Sequence, residues 1–121
     1  MTPEEILLKA ADVIQRDGWH QGALFEGSNK APTPQRDVAA REAPVCALGA
    51  ISRATWGSCS STGREYLASV VAAEADATCL LLKQVEASTA GRYPSIPMWN
   101  DAPERSAEDV ILALKRAAAD G

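Results

Sequence analysis

The opening of the chain constrains the fold most. Thr2-Pro3-Glu4-Glu5 places a hydroxyl at a helix N-cap, a proline where a helix has no amide to lose, and a glutamate three residues after the cap. Ile6, Ala10, Val13 and Ile14 then recur at helical spacing, and Leu7 and Ala11 widen the stripe. Gly18 follows as a residue that tolerates a left-handed C-cap. The resulting helix is about 22 Å long at 1.5 Å per residue, enough for one wall of a domain. Its apolar stripe demands a partner layer, and the remaining chain supplies helices for it.

Pro44 begins a second helix running to about Thr55, with Val45, Leu48 and Ile51 or Ser52 on one face. Its other residues, Cys46, Ala47, Gly49 and Ala50, are small and let a neighbouring backbone approach closely. Thr62-Gly63-Arg64-Glu65 reads as a capping box for a third helix through Tyr66, Leu67, Val70, Val71 and Ala73. Asp76 caps a fourth carrying Leu80, Leu81, Leu82 and Val85, unless the helix continues through Ala75-Asp76-Ala77, which holds no strong breaker. Ser106-Ala107-Glu108-Asp109 caps the last, with Val110, Ile111, Leu114, Ala117 and Ala118 on its face. Glycines and prolines break up 19–43 and 88–105 into two long irregular loops, with a short β-strand near 22–26 as an added element. Loops of this length in a compact domain are usually functional or mobile. The expectation is an all-α fold: a single helical domain, 1–121, of four to five short helices.

Charge narrows the function classes. Sixteen acidic against twelve basic residues give a net charge of −4, and no basic run exists, so nucleic-acid binding is not expected. Apolar stretches fall far short of a membrane span, and the capped, acidic N-terminus resembles neither a signal nor a transit sequence. A cytoplasmic location is the expectation. Three cysteines without a CxxC pair and a single histidine argue against a structural zinc site, and Asp17, Asp37 and Asp101 offer no metal spacing. Neither a metal nor a cofactor is expected.

Three places could carry chemistry. Cys46 falls in the first turn of the helix opened by Pro44, where free amides and the helix dipole lower a thiol's pKa; equally, it is a small residue suited to packing. His20, with Asn100 or Asp101 to orient it, would complete the composition of a cysteine-hydrolase triad. The third place is Pro97-Met98-Trp99-Asn100-Asp101-Ala102-Pro103-Glu104-Arg105, framed by prolines. As a recognition surface it uses Trp99 as anchor and Asn100 and Asp101 as directional hydrogen-bonding groups. As structure it buries Trp99, turns Asn100 and Asp101 onto nearby backbone amides, and pairs Arg105 with Asp101.

The order Gly18-Trp19-x-Gln21-Gly22, Cys46-Ala47-Leu48-Gly49-Ala50 and Trp99-Asn100-Asp101-Ala102-Pro103-x-Arg105 resembles a family of small proteins of actinobacteria and their phages that carry a domain of unknown function. The resemblance spans nearly the whole chain. It implies a helical fold and an actinobacterial or actinophage origin, and implies no activity.

Three readings of function follow. The first is a non-enzymatic accessory protein that binds a host or self protein through the 19–43 and 88–105 loops, with Trp19, Gln21, Trp99, Asn100, Asp101 and Arg105 as contact residues. It predicts an exposed apolar patch that includes Trp19, Trp56 or Trp99. The second is a small hydrolase-like enzyme using Cys46, His20 and Asn100 or Asp101. The third is a binder of a small molecule such as a signal nucleotide, for which Arg36, Arg41, Arg92 and Arg105 would have to converge. Oligomeric state is left open by the sequence.

Overall fold

The computed structural model describes residues 1–60 and 64–120, and among these it is all-α, without a regular sheet. Six helices run in order: α1 Pro3–Asp17, α2 Pro34–Glu42, α3 Ala47–Trp56, α4 Ala68–Thr89, α5 Ile96–Asn100 and α6 Ala107–Asp120. α1 lies at the centre, packed most extensively on α6 and α3 and then on α4. It buries the six apolar residues Ile6, Leu7, Ala10, Ala11, Val13 and Ile14. Phe25, Ile51, Leu81, Val110 and Leu114 close the core around them.

The caps behave as their residues dictate. Thr2 Oγ1 accepts from the Glu5 amide at 3.1 Å while Glu5 Oε1 accepts from the Thr2 amide at 3.1 Å. Gly18, at φ 96°, ends α1 and donates its N–H to Ile14 O at 2.9 Å. Ser106 and Asp109 exchange side-chain-to-backbone bonds in the same reciprocal way at the start of α6.

Five departures from the sequence expectation have local causes. There are six helices among the described residues rather than four or five, because each long loop holds a short helix, α2 in the first and α5 in the second. The third and fourth expected helices are one, α4, in keeping with the absence of a breaker around Asp76. α4 starts at Ala68, after Arg64, Glu65 and Tyr66; Thr62 and Gly63 of the expected capping box lie outside the described residues. α3 starts at Ala47 rather than Pro44, because Val45 is pulled into extended pairing with two segments. Its N–H donates to Gly18 O at 3.1 Å and its C=O accepts from His20 N at 2.9 Å. The expected strand near 22–26 is correspondingly reduced to isolated bridges, Trp19 with Val45 and Phe25 with Val45.

Arg53 on α3 holds α2 in place. α2 buries only Ala40, too little to dock a nine-residue helix by apolar contact. The buried Arg53 guanidinium instead donates to the carbonyls of Ala39, Ala40 and Ala43 at 2.7 to 3.2 Å, and to Asp17 Oδ2 at 3.0 Å. A cation at the C-terminal carbonyls of α2 also complements that helix's dipole. The paired Arg16, and then Arg53, hold the Asp17 carboxyl below its ordinary range.

Candidate functional site

The three motif segments meet at one side chain, Asn100. Ser95 caps α5 by accepting from Met98 N at 3.3 Å, and the short helix turns Trp99 and Asn100 inward. Asn100 is 1 % exposed, so each of its amide atoms needs a partner inside the protein. Its Oδ1 accepts from Trp19 Nε1 at 2.8 Å and from the otherwise free helix-start amide of Ala47 at 3.0 Å. Its Nδ2 donates to His20 O at 3.1 Å and to Asp101 Oδ1 at 3.0 Å. Gln21 Nε2 adds bonds to the carbonyls of Asn100 and Ala102, and the Gly22 amide donates to Asp101 Oδ1 at 3.0 Å. Residues 19–22 are thereby laid along 100–102, and both onto the start of α3.

Glycine at 49 lets α3 come close enough. A Cβ there would stand 2.2 Å from Leu24 O, a backbone atom with no freedom to retreat. Leu24 O itself accepts from Cys46 N at 3.0 Å. Alongside this contact opens a cleft of about 180 Å³, mostly apolar, with Ala23, Leu24, Cys46, Leu48, Pro97 and Asp101 among its walls. Leu24 is 43 % exposed at its mouth, and Met98, next to Pro97, is 57 % exposed. Asp101 is exposed, and the structure gives its Oδ2 no partner among the described residues.

Cys46 reaches this cleft but is not prepared as a nucleophile. It is the N-cap of α3, and its Sγ accepts from Gly49 N at 3.3 Å. Burial pushes its thiol up; the Gly49 and Leu48 amides oppose the rise and the Asp101 carboxylate adds to it. His20 uses its backbone, donating its N–H to Val45 O and accepting at its C=O from Asn100, and its imidazole makes no hydrogen bond among the described residues. The cleft therefore gathers Cys46, Asn100 and Asp101, and His20 is not in its wall. Cys59 donates its S–H to Gly49 O at 3.2 Å, and burial pushes this thiol up to about 11. Cys79 lies exposed on α4.

The remaining singled-out residues separate into a buried layer and a second surface. Trp99 is buried at 3 %, while Trp19 and Trp56 are partly exposed. Arg105 does not pair with Asp101; it donates from Nε to Trp99 O at 2.9 Å and stacks over the Trp99 ring at 4.8 Å and the Tyr93 ring at 5.4 Å. Arg92 also lies over Tyr93, at 5.5 Å, so two of the four arginines considered for a ligand do converge. Arg36 turns away to Ser28 O and the Phe25 ring, and Arg41 is exposed on α2. Sequence reasoning did not single out Leu24 or Leu48 as cleft walls. The small residues at 46–50 signalled a close approach there, but not which segment made it.

Among the described residues, no helix is long and apolar enough to cross a membrane. Neither the curated proteins nor the solved structures contain a match to this chain. Residues 1–120 match the model of DUF6197, described as a family of unknown function. That match takes in α1, the Asn100 junction with all three of its segments, and α6 to Asp120, and the chain belongs to the DUF6197 family.

Proposed function

We propose that this chain is a non-enzymatic interaction protein that engages a host or self protein where its 19–43 and 88–105 loops meet. The observation that carries the reading is the Asn100 junction, which joins the two loops and leaves a preformed cleft between Leu24 and Pro97. A site fixed before binding loses little conformational freedom when a partner arrives. Apolar cavities of about 150 Å³ accommodate a benzene-sized group. The cleft, at about 180 Å³, suits one aliphatic or aromatic side chain of a partner. The free oxygen of Asp101 favours a side chain presented beside a hydrogen-bond donor or a cation. The raised Cys46 thiol and the position of His20 outside the cleft favour recognition over nucleophilic catalysis. In the actinobacterial or actinophage setting that the motifs imply, the protein acts in the bacterial cytoplasm as an accessory factor.

The test is affinity capture from actinobacterial lysate with the full chain and two folded variants. Leu24→Glu places a charge on the exposed lip of the cleft, and Leu8→Glu does the same at a 48 % exposed site on α1. One stoichiometric partner is expected on the wild type and on Leu8→Glu, with retention by Leu24→Glu reduced about tenfold or more, as for loss of a central anchor contact. Equal retention by Leu24→Glu, or an empty capture, overturns the proposal.

A further inference from the structure

We propose that the groove between the C-terminal end of α4, the Tyr93 turn and α6 is an oxyanion site that takes the phosphate group of a small phosphorylated ligand. This site is separate from the cleft at Leu24 and independent of the reading built on it. Two adjoining hollows of about 190 and 470 Å³ share Ser88, Thr89 and Arg105 in their walls. Arg116 lines the first and Arg92 the second. Three of the chain's twelve basic residues thus face one groove on a protein of net charge −4.

Arg105 is the organising group. Its side chain is 12 % exposed, held between the Trp99 and Tyr93 rings and tied by Nε to Trp99 O. That bond uses one of the five N–H donors of a guanidinium. The nearest carboxylate oxygen, Asp109 Oδ2, is 3.8 Å from Nη1, beyond hydrogen-bond distance, and it already accepts from Ser106 N at 3.1 Å. The other donors of a rigid, pre-oriented fork therefore lack a protein acceptor among the described residues. Arg105 keeps this long ion pair with Asp109, whereas Arg92 and Arg116 have no ion-pair partner among the described residues.

The hydroxyls and carboxylates of the groove are engaged within the protein, which leaves the arginines as its charged anion-binding groups. The hydroxyls of Ser88 and Thr89 spend their protons on Val85 O. Glu104 is engaged by the Tyr93 hydroxyl, which lowers the glutamate's pKa and raises the phenol's. Across the two hollows three guanidiniums face two carboxylates, Glu104 and Asp109, and the surplus positive charge is offset by a bound anion, for which guanidinium forks suit a phosphate. Arg92 and Arg105 already cover the Tyr93 ring, so recognition runs through the phosphate rather than through stacking on that ring. The acidic chain around the groove disfavours a nucleic-acid backbone and selects a small ligand.

The test follows ¹⁵N–¹H spectra of the full chain, including the Arg105 Nε–H signal, during titration with inorganic phosphate or with adenosine monophosphate. Sodium chloride at matched ionic strength and adenosine alone serve as controls. Saturable shifts of Arg105 Nε–H and of the Ser88, Thr89 and Arg92 amides are expected with both phosphate probes and with neither control. Tighter binding of the monophosphate identifies an organic phosphate as the ligand type, and equal binding identifies free phosphate. Arg92→Glu and Arg116→Glu, both at exposed positions, should each weaken binding about tenfold or more while the rest of the spectrum stays in place. Absence of saturable shifts well above ~1 mM of either probe overturns the proposal, as do shifts that neither charge reversal weakens.

Discussion

Asn100 and Arg53 solve the same problem at two places around α3, and they solve it with different chemistry. Each is a buried polar side chain that gathers irregular backbone onto that helix. Asn100 is neutral and has both donors and an acceptor, so four bonds complete it without any counter-charge. Arg53 offers donors alone, and its buried charge requires Asp17 in addition to the carbonyls of α2. The charged junction therefore consumes the carboxylate beside it and seals the surface. The neutral junction leaves Asp101 with one oxygen uncommitted and a cleft alongside. A fold can leave an open cleft next to a buried amide at less cost than next to a buried ion pair.

The comparison is tested hardest at Arg53. Arg53→Met keeps much of the side chain's length but strands the Ala43 carbonyl, takes the charged donors from Ala39 O and Ala40 O, which keep the amides of Ala43 and Cys59, and leaves Asp17 with Arg16 alone. Removing one partner of a buried pair costs about 3–5 kcal/mol, and a loss of that size is expected in urea unfolding. The amides of α2 should lose protection from hydrogen exchange first, because little apolar contact holds that helix. An unchanged midpoint would mean that α2 docks without the charge, and the contrast between the two junctions would collapse.

A somewhat smaller loss is expected at the neutral junction. Asn100→Leu preserves approximate volume and removes every bond from the amide, stranding Ala47 N and His20 O. Each buried group left unpaired costs about 1–3 kcal/mol, but Trp19 is only partly buried and water can reach its Nε1. A total near 3 kcal/mol follows, together with a change in Trp19 fluorescence as the 19–22 segment lifts away. A loss under about 1 kcal/mol would show that the backbone pairing of Val45 holds the motifs together without the amide.

These two residues also mark how far the sequence was legible. α1 could be read at both ends, and α6 at its start and along its buried face, because caps and apolar stripes agree: Thr2, Pro3 and Glu5 for one, Ser106 and Asp109 for the other. α2 lacked the stripe that periodicity detects, although Thr33-Pro34 repeats the Thr2-Pro3 start and Thr33 Oγ1 does cap Arg36 N at 3.1 Å. Arg53 was passed over, yet it stands three residues after Ala50 on the buried face of α3, a position from which its burial could have been inferred. Asn100 was legible as a residue that matters within a motif. Its partners were not, since Trp19 and Ala47 lie 81 and 53 residues away and no local pattern encodes such pairings. The cleft was illegible for the same reason: its walls come from three separate segments.

Acid should separate the two junctions by a smaller but cleaner effect. The Asp17 carboxyl is held below its unfolded value of about 3.9, first by Arg16 and then by Arg53. A lowered folded pKa means that the stabilisation is complete above the unfolded value and is lost as pH falls through the folded one. Wild-type protein should therefore lose stability below about pH 4, and Asp17→Asn should lose less over the same interval. Glu5 and Glu104 also titrate below their ordinary range, so the wild-type acid slope contains their shares, and the difference between wild type and Asp17→Asn isolates Asp17 with its two arginines, Arg16 and Arg53 together. Asn100 has no proton to exchange in this range, and Asn100→Leu should lower stability by nearly equal amounts at pH 7 and in acid. Urea midpoints at the two pH values for the three proteins decide it: equal acid slopes for wild type and Asp17→Asn would remove the ion pair from the account of how α2 is held.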